Sequence, residues 1–172
     1  LAFIYRQKKD YKTGLQYLDT ALALCVKNKY EAGKAVCLDN YADIYADRGE
    51  IEKAIETIRK VVDIYKNAKD IRGECSGLLK LAGYEKRLKH YPDAAEKLLE
   101  VVRLASKLNI TNLLTGAYIE LFYVYKEMGD EEGAMKYAEV LISKRDSLFT
   151  QSIYNNILLK SIDYEIRLKD KE

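Results

Sequence analysis

The chain contains one proline and no tryptophan among its 172 residues. Because proline is the residue that breaks helices most strongly, its near absence allows long helices along almost the whole sequence. No run of about eighteen apolar residues is present, which argues against a segment that spans a bilayer. The 29 basic and 27 acidic residues nearly balance, so we expect no bulk electrostatic attraction to nucleic acid or to lipid headgroups.

Metal-binding and catalytic residues are also scarce. The three cysteines have no CxxC spacing, and His90 is the single histidine that could join them, whereas a zinc site needs four grouped ligands. One histidine offers little for nucleophilic catalysis, and no glycine-rich phosphate loop is present. We therefore expect this chain to have no cofactor, no metal and no enzymatic activity. A linked kinase domain outside it remains open.

What the sequence does contain is a forty-residue period. Four copies of one pattern begin at Leu1, Tyr41, Leu81 and Leu121, with no insertion between them. The fourteenth position of each copy is small: Gly14, Ala54, Ala94 and Ala134. A fixed period of roughly twenty to fifty residues indicates stacked supersecondary units that contact mainly their neighbours. The small column predicts a point at which two helices cross closely.

Apolar residues within each period have helical spacing, as in the series Ile51, Ala54, Ile55, Ile58 and Val61. One period is filled by two helices of roughly seventeen residues and two short turns, at 1.5 Å rise per helical residue. Glycines at positions 49 and 129 fall where a helix would end in a left-handed residue. The pattern predicts an all-α fold of antiparallel helix pairs.

Three segments carry a family resemblance. Residues 1–24, 41–64 and 121–142 resemble tetratricopeptide repeats, whereas the third copy has Glu85 where the family has a tyrosine. The period exceeds the roughly thirty-four residues usual in that family and is similar to the longer variety found in bacterial sensor and regulator proteins. The resemblance implies a right-handed superhelical solenoid whose first helices line a concave groove for peptides or protein segments.

The register divides the chain into units at approximately 1–30, 31–70, 71–110 and 111–150, with a fifth first-helix at 151–170. We expect one repeat domain over 1–172. The absence of an initial methionine, and a first copy that starts midway through the pattern, suggest a fragment of a longer protein. The fifth helix should carry an uncovered apolar stripe that favours self-association, formed by Leu158, Leu159, Ile162 and Ile166.

The resemblance also implies which side chains face the groove. The candidates are Arg6, Asp39, Asp43, Asp47, Leu79, Lys86, Arg87, Tyr123, Lys126 and Asn156. Acidic residues lie on one helix and basic residues on the next two, which predicts a polarised ligand whose acidic portion lies over Lys86, Arg87 and Lys126.

The predicted function is therefore that of a protein- or peptide-binding module. Residues 144–172 are similar to the end of the repeat region in bacterial sensors, where a histidine kinase or a helix-turn-helix regulator follows. This chain would then be the sensing or interaction domain of a signal-transduction protein, on the periplasmic side of a membrane anchor or in the cytoplasm. The alternative is a general assembly scaffold. We expect no direct binding of nucleic acid and no membrane insertion by this chain.

Overall fold

The structure is a computed structural model that describes residues 1–143 together with Leu159, Lys160 and Ile162. Residues 1–143 form eight α-helices and no strand. The helices are α1 Ala2–Gln7, α2 Tyr11–Lys27, α3 Glu31–Asp47, α4 Ile51–Asn67, α5 Ile71–Arg87, α6 Tyr91–Lys107, α7 Thr111–Glu127 and α8 Glu131–Ser143. Helices α2 to α7 contain 17 residues each, as the apolar periodicity predicts.

Helix α4 shows why these segments are helical. Its buried residues are Ile51, Ala54, Ile55, Ile58 and Val61, which recur every three or four positions and so form one stripe. Charged residues fill the opposite side, where Glu56 and Lys60 form an i,i+4 ion pair with an Oε1–Nζ distance of 2.7 Å. Such a pair adds only about 0.2–0.5 kcal/mol. The helix is therefore stabilised mainly by burial of the apolar stripe.

The turns repeat one geometry. One residue with positive φ lies in each turn of residues 1–143, at positions twenty apart: Lys9, Lys29, Gly49, Lys69, Lys89, Asn109 and Gly129. In each turn the next N–H donates to a carbonyl five residues back, as Asp70 N does to Tyr65 O at 2.9 Å. This is the Schellman end of a helix. The predicted left-handed ends at Gly49 and Gly129 are confirmed.

Three of the following helices begin with an aspartate cap. The carboxylates of Asp10, Asp70 and Asp130 accept a hydrogen bond from the N–H three residues later, at 3.2, 3.0 and 2.8 Å. Each cap satisfies one of the N–H groups that the first turn of a helix leaves without a partner. In these three turns, the left-handed residue ends one helix and the aspartate cap begins the next.

The chain forms two compact units, unit 1 (Leu1–His90) and unit 2 (Tyr91–Glu172). In unit 1, α2, α3, α4 and α5 contact one another in succession; in unit 2, α7 contacts both α6 and α8. The core of unit 1 includes the stripe of α4 packed against Ala42 of α3 and Leu81 of α5. The all-α prediction is thus confirmed for the described residues.

The column of small residues is buried. Ala54 in unit 1 and Ala94 in unit 2 have no exposed surface, and Gly14 is also buried. A Cβ at Gly14 would lie 3.4 Å from Cδ1 of Ile44 on α3. A larger side chain in this column would therefore push neighbouring helices apart. This explains why the fourteenth position of each period is a small residue.

None of the described helices combines the length and the apolar character that a membrane crossing requires.

Candidate functional site

The predicted groove residues of unit 1 form ion pairs with one another. Arg6 of α1 contacts two aspartates of α3: its Nη1 lies 2.7 Å from Asp43 Oδ2, and its Nε lies 2.6 Å from Asp47 Oδ2. All three side chains are partly buried. The hydrogen bond to Asp47 raises the pKa of Arg6, and the nearby charge of Asp43 acts in the same direction.

A lysine that the sequence analysis did not select completes this cluster from the other side. Lys80 of α5 places its Nζ 2.7 Å from Asp39 Oδ1 and 3.0 Å from Asp43 Oδ1. The hydroxyl of Tyr84 also donates to Asp43 Oδ1, at 3.0 Å. Burial, with the charge of Asp43, raises the pKa of Tyr84. We call this set, made of Arg6, Asp39, Asp43, Asp47, Lys80 and Tyr84, the polar ladder.

The polar ladder changes what unit 1 can offer a ligand. Its three carboxylates face two cations of the same chain, so most of their charge is balanced within unit 1. Exposed ion pairs contribute about 0.2–1 kcal/mol each, and a network of partly buried groups contributes more than isolated pairs. The acidic end of the predicted ligand surface is therefore largely occupied by internal contacts.

Two of the predicted basic residues are engaged as well. Arg87 donates from Nη2 to the carbonyl of Ala46 at 2.9 Å, in the last turn of α3, where a cation is favourable. Lys86 also has an interaction partner. Leu79 lies half-buried on α5. Whether these three side chains contact a ligand remains a prediction.

Unit 2 presents a different arrangement on α7. The ring of Tyr123 meets that of the buried Phe122 edge-on, with centroids 5.2 Å apart. The Nζ of Lys160 lies 5.5 Å from the Tyr123 centroid and 6.0 Å from the Phe122 centroid. Lys126 beside it, together with partial burial, lowers the pKa of Lys160. We call Phe122, Tyr123, Lys126 and Lys160 the lysine–aromatic cluster.

The structure thus separates the predicted site residues by unit. Arg6 and the three aspartates meet in unit 1, whereas Tyr123 and Lys126 lie in unit 2 beside a lysine that sequence reasoning did not select. Its position gave a signal, because Lys160 stands eighty residues after Lys80 and so at the same place in the forty-residue period. Asn156 lies outside the described residues.

The departure from the repeat pattern at Glu85 has a structural counterpart. Glu85 is 3% exposed, and its two carboxylate oxygens lie 3.0 Å from Arg59 Nη2 and 3.0 Å from His90 Nδ1. A buried carboxylate needs such partners, because an unpaired charge away from water is costly. The side chain of His90 is about half-exposed.

An open cleft of about 620 Å³ lies at the junction of α7 and α8. Its lining includes Tyr125, Lys136 and Tyr137, with the Nζ of Lys136 lying 5.8 Å from the Tyr137 centroid. None of the predicted groove residues that the structure describes lines this cleft.

Comparison with solved structures supports the fold. The TPR domain of Arabidopsis FLU is 20% identical, with a TM-score of 0.62, and the match covers 66% of this chain and 96% of that one. The TPR-like repeats of a putative kinesin light chain from Podosopora anserina are 18% identical over 87% and 74%, with a TM-score of 0.71. BtubC (BKLC) from P. vanneervenii is 17% identical over 88% and 62%, with a TM-score of 0.78.

Comparison at the sequence level is narrower. A search of curated proteins found no match. Residues 1–67 match the family model described as tetratricopeptide repeat. Such repeats are in general interaction modules without catalysis of their own. The first 67 residues of this chain are therefore similar in sequence to tetratricopeptide repeats, and the described helices have the TPR-like fold of paired helices.

Proposed function

We propose that the chain is a protein- or peptide-binding module, and that the lysine–aromatic cluster of unit 2 contacts an acidic portion of the ligand. The observation that carries the proposal is the contrast between the units. The carboxylates of unit 1 have internal cationic partners, whereas Tyr123 and Lys126 lie beside a second ammonium group and no internal ion pair occupies Lys126 among the described residues.

The physical basis is complementarity of charge together with apolar contact. An ammonium group near an aromatic ring gains about 0.5–1 kcal/mol at exposed sites, and the ring offers a flat apolar surface to a neighbouring side chain. Charged groups at a binding surface add more to specificity and to the rate of encounter than to affinity. An acidic segment is therefore favoured over a basic one here.

A selection from a random peptide library, with the purified chain immobilised, tests this proposal. We expect enriched peptides to contain clustered Asp or Glu residues and to bind more weakly as salt is added, because exposed charges are screened. The substitution Lys126→Glu should weaken binding by about tenfold or more, as expected when attraction between close charges becomes repulsion. Fluorescence anisotropy of a labelled peptide measures this change.

Lys136→Glu is the matched control, because Lys136 also lies beside a tyrosine ring of unit 2 but outside the lysine–aromatic cluster. We expect it to bind the selected peptides as the parent does. Peptides that bind the Lys126→Glu variant as tightly as the parent would show that the acidic portion lies elsewhere. A selection that enriches nothing above an unrelated immobilised protein would contradict the binding function itself.

The biological setting is a finer proposal. We propose that the module serves a bacterial histidine kinase or helix-turn-helix regulator, which rests on the long period and on the resemblance of residues 144–172 to the end of the repeat region in such sensors. The alternative is an assembly scaffold with no linked effector. The surrounding reading frame distinguishes the two: an in-frame kinase or helix-turn-helix region supports the first, and repeats alone support the second.

Self-association through the predicted fifth helix is a further part of this proposal. Leu159 and Ile162 are both exposed, at 65% and 45% of their surface, whereas Leu158 and Ile166 of the predicted stripe lie outside the described residues. Apolar side chains left in water favour a second copy as cover. Static light scattering of the parent and of a Leu159→Glu plus Ile162→Glu variant tests this, and a monomeric parent at high concentration would refute it.

A further inference from the structure

The lysine–aromatic cluster places two ammonium groups side by side. Tyr123 and Lys126 are three residues apart on α7 and so share one face of the helix. Lys160 lies over the Tyr123 ring, at 5.5 Å from its centroid, and this position brings it next to Lys126. The Phe122 and Tyr123 rings both lie within 6.0 Å of the Lys160 ammonium, measured to their centroids.

Two neighbouring ammonium groups have no acceptor between them. Each carries three N–H donors and no lone pair, and the like charges repel each other. In the part of the chain that the structure describes, the carboxylate whose charge acts on Lys160 is that of Glu127, and its effect on the pKa of Lys160 is smaller than that of Lys126. Among the described residues, neither lysine has a carboxylate within ion-pair distance. The two ammonium groups therefore carry a charge of +2 that no described carboxylate neutralises by direct contact.

An oxyanion between the two lysines would remove this repulsion and accept hydrogen bonds from both. A carboxylate brings one negative charge and two oxygens, which leaves one positive charge unbalanced. A phosphomonoester brings about −1.5 to −2 charges at neutral pH, which matches the charge of the two ammonium groups, and three acceptor oxygens that can bond to both of them.

We propose that Lys126 and Lys160 form a site for the phosphomonoester of a phosphorylated side chain on the ligand. This inference rests on the proposed function, since it specifies the acidic group that the binding module recognises. Tyr123 and Phe122 hold Lys160 in place through its contact with their rings, and the partly exposed Tyr123 offers apolar surface to the side chain that carries the phosphate.

A side-chain NMR titration of the whole chain, labelled with ¹³C and ¹⁵N in lysine, tests the site. The probes are inorganic phosphate, O-phosphoserine and glutamate, each added at constant ionic strength. We expect both phosphate compounds to shift the Cε–Nζ signals of Lys126 and Lys160 with one saturation curve. Glutamate should bind about tenfold more weakly, because it brings one carboxylate to a doubly charged site.

Variants of single lysines provide the controls. Lys126→Met and Lys160→Met keep an unbranched apolar stem but remove the charge, and each should weaken O-phosphoserine binding by about tenfold. Lys136→Met should leave binding unchanged, although Lys136 also lies beside a tyrosine ring, 5.8 Å from the Tyr137 centroid. Unchanged far-ultraviolet circular dichroism confirms that each variant is folded.

The outcomes separate this inference from the proposed function. Equal binding of glutamate and O-phosphoserine, or shifts that follow ionic strength alone, would overturn the phosphate site while the peptide selection could still succeed. Saturable phosphate binding that survives Lys160→Met would also overturn it. If the two lysines bind phosphate but the chain selects neither peptides nor phosphopeptides, the anion site stands as a small-molecule site and the peptide-binding function fails.

Discussion

Three glycines at the third position of a helix allow a neighbouring side chain to pack directly on the backbone. They are Gly33, Gly73 and Gly133, at the starts of α3, α5 and α8. A Cβ at Gly73 would lie 2.5 Å from Cγ of Tyr65, and one at Gly133 would lie 2.5 Å from Cδ1 of Tyr125. These glycines are needed for close approach and not for their backbone conformation.

We predict that Gly73→Ala and Gly83→Ala change stability in opposite directions. Alanine at 73 would collide with ring atoms close to the backbone of Tyr65, and overpacking of this kind costs about 1–3 kcal/mol. Alanine at 83, also in α5, would meet no atom within 4 Å. It should stabilise the helix by about 0.5–1 kcal/mol, because glycine is the more flexible residue in the unfolded chain.

Urea denaturation followed by circular dichroism measures both changes, and the comparison is controlled because both sites lie in one helix. A Gly73→Ala variant as stable as Gly83→Ala would show that the tyrosine ring moves aside freely. Gly116→Ala on α7 should behave as Gly83→Ala does, since its Cβ also meets nothing within 4 Å.

At the scale of single residues, the sequence predicted the small column but not these ring contacts. The column at Gly14, Ala54, Ala94 and Ala134 recurs once in every period and is therefore visible as a pattern. The contact of Gly73 with Tyr65 depends on how the turn at Lys69 brings two helix ends together. That geometry can be read only once the positive φ of the turn is known.

At the scale of helices, the polar ladder joins α1, α3 and α5 of unit 1 through side chains 37 or 41 positions apart. Arg6 reaches Asp43 and Asp47 at these separations, and Lys80 reaches Asp43 and Asp39 at the same two separations. The two spacings differ by four residues, one helical turn, so each cation lies between two acids on successive turns.

We predict that Asp43→Asn lowers the stability of unit 1. Asp43 accepts contacts from Arg6, Lys80 and Tyr84, and its loss of charge would leave both cations with weaker partners. Hydrogen bonds to charged groups contribute about 1.5–3 kcal/mol, and a loss near 1–2 kcal/mol is expected at this half-buried position. Chemical denaturation at low and at high salt measures it.

Asp63→Asn serves as the control, because Asp63 is an exposed acid on α4 outside the polar ladder. It should change stability by less than about 0.5 kcal/mol, as is usual for surface substitutions. An equal effect of the two variants would mean that the polar ladder contributes nothing beyond general charge.

The helices themselves were predicted well from sequence, whereas the partners across them were not. Apolar periodicity and the turn residues predict the 17-residue helices and the turns between them, because both depend on local spacing. The pairing of Asp43 with Lys80 depends on how α3 and α5 are rotated about their axes. Sequence reasoning therefore selected Asp39, Asp43 and Arg87 as residues available to a ligand and did not predict their internal partners.

At the scale of the whole molecule, both units use the same building element of twenty residues. In residues 1–143 each turn has its left-handed residue at the same place, although that residue is a lysine, an asparagine or a glycine. The chain also distributes tyrosines through both units. Burial raises the pKa of Tyr41, Tyr65 and Tyr84 in unit 1 and of Tyr137 in unit 2.

These tyrosines predict a loss of stability at alkaline pH. A phenol in the unfolded chain has a pKa near 10.0, whereas the folded protein holds the protons of Tyr41 and Tyr84 to higher pH. The folded state therefore binds more protons above pH 10. The stabilisation is complete below that pH and declines as pH rises through the interval between the two pKa values.

For each such tyrosine, the free energy of unfolding should fall by about 1.4 kcal/mol per pH unit within that interval. Urea denaturation between roughly pH 9 and pH 11.5 spans the start of this decline, since the reference pKa of tyrosine is about 10. We expect Tyr84→Phe to be less stable near neutrality, because it loses the hydrogen bond to Asp43, but to show a shallower decline above pH 10.

Tyr30→Phe is the control, because the side chain of Tyr30 is 59% exposed. In this variant the free energy of unfolding should decline with pH as steeply as in the parent. Lysines also lose protons in this range, but they do so equally in all three proteins, and the difference between the slopes therefore reports the buried phenol. A Tyr84→Phe variant whose stability declines as steeply as that of the parent would show that Tyr84 releases its proton without unfolding. Burial of its ring beside Asp43 would then contribute nothing to the pH dependence of the protein.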